Sequence, residues 1–402
     1  MYWKRLSQEQ IKERIFGGLN KNISYGTSRI MGVPGSSLDP KVFNKDAAAS
    51  EPYLTALVEN ANHIGCHTLD GDSESFFKGT QDLEIEAINI CAEKIMAGKP
   101  GMQDGYVATG STESNLEALW IYRNYYNQVY NARSSEIGVL FSEDSHVSVI
   151  KGIDMLDLRT CLVEVDKETR MVQEDSLRRQ VQRAVDRGVQ YFIVVANMGT
   201  HMYGSVDDIQ LYAKVLEEQD VMYKVHVDAS FGGFIYPFTN PFNELNFANP
   251  KVTSICMDAY RVLRAPFGTS VFMIRKGFMD YSLTAEASYV SGKDYTICGS
   301  RSGANAVSCW MLLMAYGSKG IKNKMNRILT RTDQICEELD KRSIEYYRNP
   351  YMNIIAIKNK YVKRQIEDFY GLVPDDAENP QWWRVVVSAH VDNALIDKFI
   401  AF

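Results

Sequence analysis

Residues 224–233 read Lys-Val-His-Val-Asp-Ala-Ser-Phe-Gly-Gly, a strand-like run that ends at Asp228 and is followed by several small residues. The run predicts a buried β-strand followed by a tight turn. Further strand-like runs alternate with helical segments along the chain, at 106–108, 139–141, 161–165, 191–196, 254–257 and 269–274. Strands that alternate with helices form a mostly parallel sheet covered on both faces. The sequence therefore predicts an α/β fold.

The pattern divides the chain into three regions. Ser7-Gln8-Glu9-Gln10 has the form of a helix capping box, and the stretch 26–40 is rich in Gly, Ser and Pro, so we predict an N-terminal arm over residues 1–50. The alternating strands and helices predict a large domain over residues 51–340. Short alternating runs at 352–357 and 384–387 then predict a small α+β domain over residues 341–402.

Composition excludes several classes of protein. The chain has 402 residues, of which 45% are hydrophobic and 23% charged, enough for a sizeable core. A net charge of −6 without a concentrated basic run argues against a nucleic-acid partner. The 7 cysteines are scattered without a CxxC pair, so we expect reduced thiols and no metal site. No secretory pattern and no apolar run of about 18 residues is visible, which predicts a cytoplasmic protein without a membrane partner.

Thr109-Gly110-Ser111-Thr112-Glu113-Ser114-Asn115 follows the first strand-like run and opens a predicted helix. Free N–H groups and small hydroxyls at the start of a helix attract an anion. We therefore predict a phosphate site at Gly110, Ser111 and Thr112. The same residue types also suit an ordinary helix N-cap, and the sequence leaves both interpretations open.

A third stretch, Ser254-Ile255-Cys256-Met257-Asp258-Ala259-Tyr260-Arg261, is followed by Ala265-Pro266-Phe267-Gly268. It resembles the signature of the group II pyridoxal-phosphate decarboxylases, Ser-x-x-x-Asp-x-His-Lys followed by Ala-Pro-x-Gly. In this alignment Tyr260 falls at the family's histidine and Arg261 at its Schiff-base lysine. A guanidinium stays protonated and cannot form that bond, although it can hold a phosphate or a carboxylate. Because Tyr260, Val262 and Leu263 also depart from the pattern, we favour natural divergence over an engineered knockout.

Other motifs resemble the same family in the same order along the chain. The resemblance implies that Gly110, Ser111 and Thr112 bind the cofactor phosphate, that His146 stacks on the pyridine ring, and that Asp228 pairs with its protonated nitrogen. Asp228 could instead cap a turn, and His146 could be structural. The resemblance also places Ala229, Thr200, His201, Tyr260 and Arg261 beside the cofactor. Two further matching motifs are Phe77-Lys78-Gly79-Thr80 with Leu83-Glu84, and Gly299-Ser300-Arg301-Ser302-Gly303.

The nearest relatives by resemblance are compact tyrosine/aspartate decarboxylases and the soluble core of sphingosine-phosphate lyase. They imply a fold type I, pyridoxal-phosphate transferase-like architecture with a seven-stranded-type sheet, and a homodimer whose sites lie at the subunit interface. The expected ligand is a small amino acid or amine. Lys151 could replace the missing amine only if its helix turned it toward His146, which the spacing disfavours.

Three functional hypotheses follow from the lysine's absence. The first is a decarboxylase-family protein that holds pyridoxal phosphate noncovalently through Asp228, His146 and the Gly110–Thr112 loop, with impaired turnover. Under this first hypothesis, the residues at the reaction centre are His146, Tyr260 and Arg261. The second is a pseudoenzyme with a binding or regulatory role. The third, ranked last, uses pyridoxamine phosphate, which needs no lysine bond.

Overall fold

The computed structural model describes residues 2–25, 30–32, 38–39, 42, 50–66, 76–283 and 293–400. Most of the loop predicted at 26–40 lies outside these residues. Within them the helices and strands follow one another in this order: α1 Gln8–Leu19, α2 Pro52–Glu59, β1 Asn62–Ile64, α3 Lys78–Asn89, β2 Gln103–Ala108, α4 Ser111–Tyr130, β3 Ile137–Ser142, α5 Val147–Met155, β4 Arg159–Val163, α6 Glu174–Asp186, β5 Tyr191–Asn197, α7 Ile209–Glu218, β6 Met222–Asp228, α8 Tyr236–Thr239, β7 Val252–Asp258, α9 Ala259–Val262, β8 Ser270–Arg275, β9 Ser300–Ser302, α10 Gly303–Lys341, β10 Tyr346–Tyr347, β11 Ile354–Lys358, α11 Arg364–Tyr370, β12 Val373–Pro374, β13 Trp382–Val386 and α12 Asn393–Ile400.

The predicted α/β fold is confirmed, with seven strands in the large sheet. The chain forms two compact units, each built from two segments. The first unit comprises Met1–Gln128 and Asn246–Ile321, and the second comprises Val129–Leu245 and Lys322–Phe402. The domain boundaries at residues 50 and 340 stay predictions of the sequence pattern.

The first unit contributes three strands of the large sheet. β8 lies between β2 and β7 and runs antiparallel to both. The predicted capping box of α1 is present, because the Ser7 hydroxyl accepts from the Gln10 amide and the Gln10 side chain accepts from the Ser7 amide. α10 is interrupted at Gly317, where φ is +60° and ψ is 173°.

The second unit contributes the parallel part of the sheet. β5 pairs with β3 and β6, β3 also pairs with β4, and all three pairings are parallel. The residues of β3 and nearly all of those of β5 are buried, as expected for strands covered on both faces. This unit also holds a small antiparallel sheet in the order β10-β11-β13-β12, which agrees with the predicted α+β character of the C-terminal region.

A buried ion pair joins two of the predicted motifs in the first unit. Arg301 in β9 donates to both carboxylate oxygens of Glu84 in α3, and the two side chains are almost completely buried. The same carboxylate accepts from the Val107 amide at 2.8 Å and lies 2.9 Å from Nδ1 of His63. Glu84 therefore ties α3 to β1, β2 and β9.

Removal of the Arg301 cation should destabilise the fold strongly. In Arg301→Met the Glu84 carboxylate stays buried without its main counter-charge, so we expect the free energy of unfolding to fall by about 3–5 kcal/mol. Urea denaturation measures this change. The matched control is Arg179→Met, which breaks the exposed pair of Arg179 with Glu164 and should have a much smaller effect. Equal losses in the two variants would contradict a central role for the Glu84 pair.

Candidate active site

In the second unit, the predicted site residues lie at the carboxyl edge of the parallel strands. β6 ends at Asp228, β5 is followed by Thr200 and His201, and β3 leads into His146, the N-cap residue of α5. Because β3, β5 and β6 run parallel, their carboxyl ends meet at the same edge. Such an edge is the usual position of ligand sites in α/β sheets.

The hydrogen bonds of His146 select one tautomer of its ring. Nδ1 accepts from the Ser148 amide at 3.2 Å and lies 2.9 Å from the Ser148 hydroxyl. The neutral ring therefore carries its proton on Nε2. His201 meets this ring edge to face, with the ring centroids 5.7 Å apart and an interplanar angle of 86°. The structure thus brings two of the predicted residues together.

Asp228 is 6% exposed, and its carboxylate is oriented by the turn that follows β6. Oδ1 accepts from the Ser230 amide at 3.1 Å and from the Ser230 hydroxyl. Ala229 is fully buried, and a Cβ added at Gly232 would lie 2.1 Å from the Met198 carbonyl oxygen. Small residues are thus needed for this turn to pack against the residue that follows β5.

The sequence did not reveal a polar network that includes Ser145, the residue directly before His146. Asn197 Nδ2 lies 2.8 Å from the Ser145 hydroxyl, 3.2 Å from the Ser142 hydroxyl and 2.8 Å from Asp207 Oδ2. The Asn197 amide also donates to Asp207 Oδ2, at 2.8 Å. Burial raises the pKa of Asp207 to about 7, although the Asn197 bonds act in the opposite direction. The sequence around Asp207 and Asp208 did not indicate that Asp207 bonds to Asn197.

The raised pKa of Asp207 predicts a pH-dependent stability. Between the ordinary value of 3.8 and about 7, the folded chain keeps a proton that the unfolded chain has lost. The free energy of unfolding therefore falls as the pH rises through this window. In Asp207→Asn this part of the decline should disappear, which urea denaturation at a series of pH values measures. Asp208→Asn is the control, since Asp208 is an exposed N-cap residue of α7. It should keep the decline, moved to slightly lower pH because the Asp208 charge is one of the groups that raise the pKa of Asp207.

In the first unit, the loop at Gly110 combines an open backbone with the start of a long helix. Gly110 has a φ of +135°, and a Cβ added there would meet nothing within 4 Å, so the backbone faces open space. Thr112 is exposed, and Ser111 is the first residue of α4. α4 has 20 residues, and its N-terminus favours negative charge. Gly110, Ser111 and Thr112 therefore remain the predicted phosphate-binding residues.

Arg261 folds back onto the end of β7. Its Nε donates to Asp258 Oδ2 at 3.0 Å, and the Ser111 hydroxyl donates to the same oxygen at 3.1 Å. The Asp258 side chain is fully buried, whereas that of Arg261 is 30% exposed. The structure thus joins Arg261 to the predicted phosphate loop through one carboxylate, a link that the sequence did not predict.

Tyr260 lies beside Arg261, on the segment that leads to β8. Its ring centroid is 5.1 Å from that of Phe267 and 5.3 Å from the Arg261 guanidinium carbon. Burial and then the nearby Asp258 charge raise the pKa of Tyr260 to about 12, so the phenol stays neutral at physiological pH. Tyr260 can donate a hydrogen bond, but it cannot act as an imidazole base.

Three comparisons with known proteins agree with these features. The profile of the pyridoxal-dependent decarboxylase conserved domain matches residues 12–356. A tryptophan decarboxylase of Clostridium sporogenes is 40% identical over 403 residues, covering 99% of this chain and 96% of the relative. A probable L-tyrosine/L-aspartate decarboxylase of Methanosphaera stadtmanae is 27% identical and covers 97% and 95%.

The chain therefore belongs to the pyridoxal-dependent decarboxylase family. The fold is shared with solved structures such as the sphingosine-1-phosphate lyase of Burkholderia pseudomallei, with a TM-score of 0.67 and 19% identity over 80% of this chain and 75% of that one. These findings confirm the predicted family and the fold type I architecture. Among the described residues, no helix is both long and apolar enough to cross a membrane.

The described residues fit pyridoxal phosphate, the cofactor that this family implies. Asp228 offers a buried acceptor suited to a protonated ring nitrogen, and the open backbone at Gly110 suits a phosphate. A covalent link at residue 261 does not fit, because a guanidinium has no lone pair to offer. Lys151 is exposed on α5, so nothing in its position favours it as a replacement.

Proposed function

We propose that this protein binds pyridoxal phosphate noncovalently and acts on, or binds, an amino acid, with impaired decarboxylase turnover. The observation that carries the proposal is the bond from Arg261 Nε to the buried Asp258 carboxylate. It gives Arg261 a defined position next to Ser111, where the family signature has its lysine. A fixed cation that cannot form an imine suits retained anion binding together with the loss of covalent chemistry.

Each proposed residue has a distinct part in binding. The Gly110–Thr112 loop would hold the phosphate through backbone N–H groups and hydroxyls, and Asp228 would hold the proton of the ring nitrogen. His146 would lie against the ring, with its Nε2 proton available for a hydrogen bond. When bound, the ring supplies an electron sink for the bond that breaks in decarboxylation. Arg261 would hold a carboxylate or the cofactor phosphate through its guanidinium.

The family relatives indicate an aromatic amino acid as the first ligand to test. The 40% identical relative is named as a tryptophan decarboxylase, and its similarity extends over 99% of this chain. We therefore propose tryptophan as the initial candidate. A homodimer, as the family resemblance implies, and a cytoplasmic location complete the proposal.

A pseudoenzyme with a binding role is the second candidate. Two observations favour it, one in each unit. The Ser111 hydroxyl already donates to Asp258, and the His201 ring occupies the edge-to-face position against His146. Both contacts occupy groups that the family resemblance assigns to the cofactor. In this case the protein binds a regulatory ligand and releases no carbon dioxide.

Cofactor titration with reduction distinguishes the candidates. We expect the purified protein to bind pyridoxal phosphate, seen as a change in its visible absorption, yet to show no labelled peptide after borohydride treatment. A labelled lysine, at Lys151 or elsewhere, would refute noncovalent binding. Absence of any spectral change would favour the pseudoenzyme, and preferential binding of pyridoxamine phosphate would favour an enzyme that uses that cofactor.

Arg261→Lys should restore covalent attachment, because lysine supplies an amine while it keeps a cation near Asp258. We expect a borohydride-reducible link at position 261 and faster carbon dioxide release from tryptophan, by roughly 100-fold or more if the amine also restores acid–base catalysis. The matched control is Arg264→Lys on the same loop, where Arg264 is exposed and no link should form. A variant that binds the cofactor without a reducible link would contradict the assignment of Arg261 to the lysine position.

A further inference from the structure

We propose that Asp207, acting through Asn197 and Ser145, is a positioning residue for the His146 imidazole. The inference deepens the proposed function, since it concerns the residue that we expect to lie against the cofactor ring. It rests on a continuous set of hydrogen bonds inside the second unit. Asp207 and Asn197 are almost completely buried, with exposures of 7% and 2%.

Asp207 first closes the base of a loop. Its own amide donates to the Asn197 carbonyl at 2.9 Å, and its carboxylate accepts from the Asn197 amide at 2.8 Å. Higher in the same loop, the Gly199 and Thr200 amides both donate to the Ser205 carbonyl. Two sets of hydrogen bonds, at the base and further along, therefore fix the segment from 197 to 207. This segment includes His201, whose ring packs against His146.

The second link runs from Asn197 to the loop that holds His146. Asn197 Nδ2 donates to the Ser145 hydroxyl at 2.8 Å, and Ser145 directly precedes His146. The Ser145 amide in turn donates to the Ser142 carbonyl at 3.0 Å. Asn197 thus holds the strand end of β3 and the N-terminus of α5 together, so its orientation determines where the imidazole lies.

The carboxylate of Asp207 selects the orientation of the Asn197 amide. An ionised carboxylate only accepts hydrogen bonds, so the Nδ2 side of Asn197 must face it, which is also the side that reaches Ser145. A protonated Asp207 carboxyl can instead donate to Oδ1 of Asn197. This permits the Asn197 side-chain amide to rotate and to release the Ser145 hydroxyl. Protonation of Asp207 is thereby coupled to the position of His146.

Other ionisable groups around Asp207 act on the same equilibrium. Asp144 and Asp208 raise its pKa through their charges, and Asp144 is itself paired with Arg170. Tyr212 and Tyr347 are affected by the Asp207 charge, and burial raises the pKa of both well above the ordinary value. The pKa of Asp207, about 7, lies in the physiological range.

Histidine ring NMR on the full-length protein tests this coupling. The chain has 6 histidines, so ring-labelled protein gives few signals, and His146→Gln identifies the one from His146. In the wild type we expect the His146 signal to shift near pH 7 as Asp207 titrates, which we call the Asp207-linked shift. This shift should be lost in Asp207→Asn and in Ser145→Ala, which cuts the link at its other end. It should be kept in the control Asp208→Asn, at a slightly lower pH because the Asp208 charge helps to raise the pKa of Asp207.

Identical pH curves in all variants would overturn the proposal. A merely structural role would lower stability without removing the Asp207-linked shift, and Ser145→Ala provides the test if Asp207→Asn fails to fold. Binding of pyridoxal phosphate, measured separately by absorption, keeps this proposal apart from the proposed function. Coupling without cofactor binding refutes the proposed function alone, and cofactor binding without coupling refutes the positioning role alone.

Discussion

The buried carboxylate of Asp258 is the constraint around which the first unit arranges its candidate site. A charge in that position is costly unless it is paired and hydrogen-bonded. Arg261 and Ser111 both donate to its Oδ2, one from the segment after β7 and the other from the start of α4. A cation at position 261 therefore has a structural reason to be kept, whether or not it serves chemistry.

In the alignment with the family signature, Arg261 takes the position of the Schiff-base lysine. Lysine and arginine both carry a positive charge, so the pairing with Asp258 would keep the local electrostatic balance in such an exchange. Only the amine chemistry would be lost, because the guanidinium has no free lone pair. The buried pair of Glu84 and Arg301 shows the same principle elsewhere in the unit, where an ion pair holds four elements together.

The second unit meets a related requirement with hydrogen bonds among polar side chains. Serine and asparagine side chains at the ends of β3 and β5 bond with one another and with Asp207, in the network of Ser142, Ser145, Asn197 and Asp207. Such networks give a loop one defined arrangement, because each broken bond leaves a buried polar group without compensation. The His146 ring inherits its position from this arrangement.

Local pattern was enough to predict much of the fold. The capping box of α1 and the buried runs of β3 and β5 depend on residues within a few positions of one another. The pairing of β1 with β9 could not be predicted in this way, since its partners are more than 200 positions apart. The family, likewise, was recognisable from short motifs before any contact was known.

The identity of residue 261 and its chemical limits are properties of the chain alone, because arginine cannot form an imine in any surroundings. Which groups stand beside it depended on the folded structure. Ser111 and Asp258 are 147 positions apart, and Ser145 and Asn197 are 52 apart. The partners of a side chain at a strand end depend on which other strands lie beside it. The order of the strands is established only when the sheet forms.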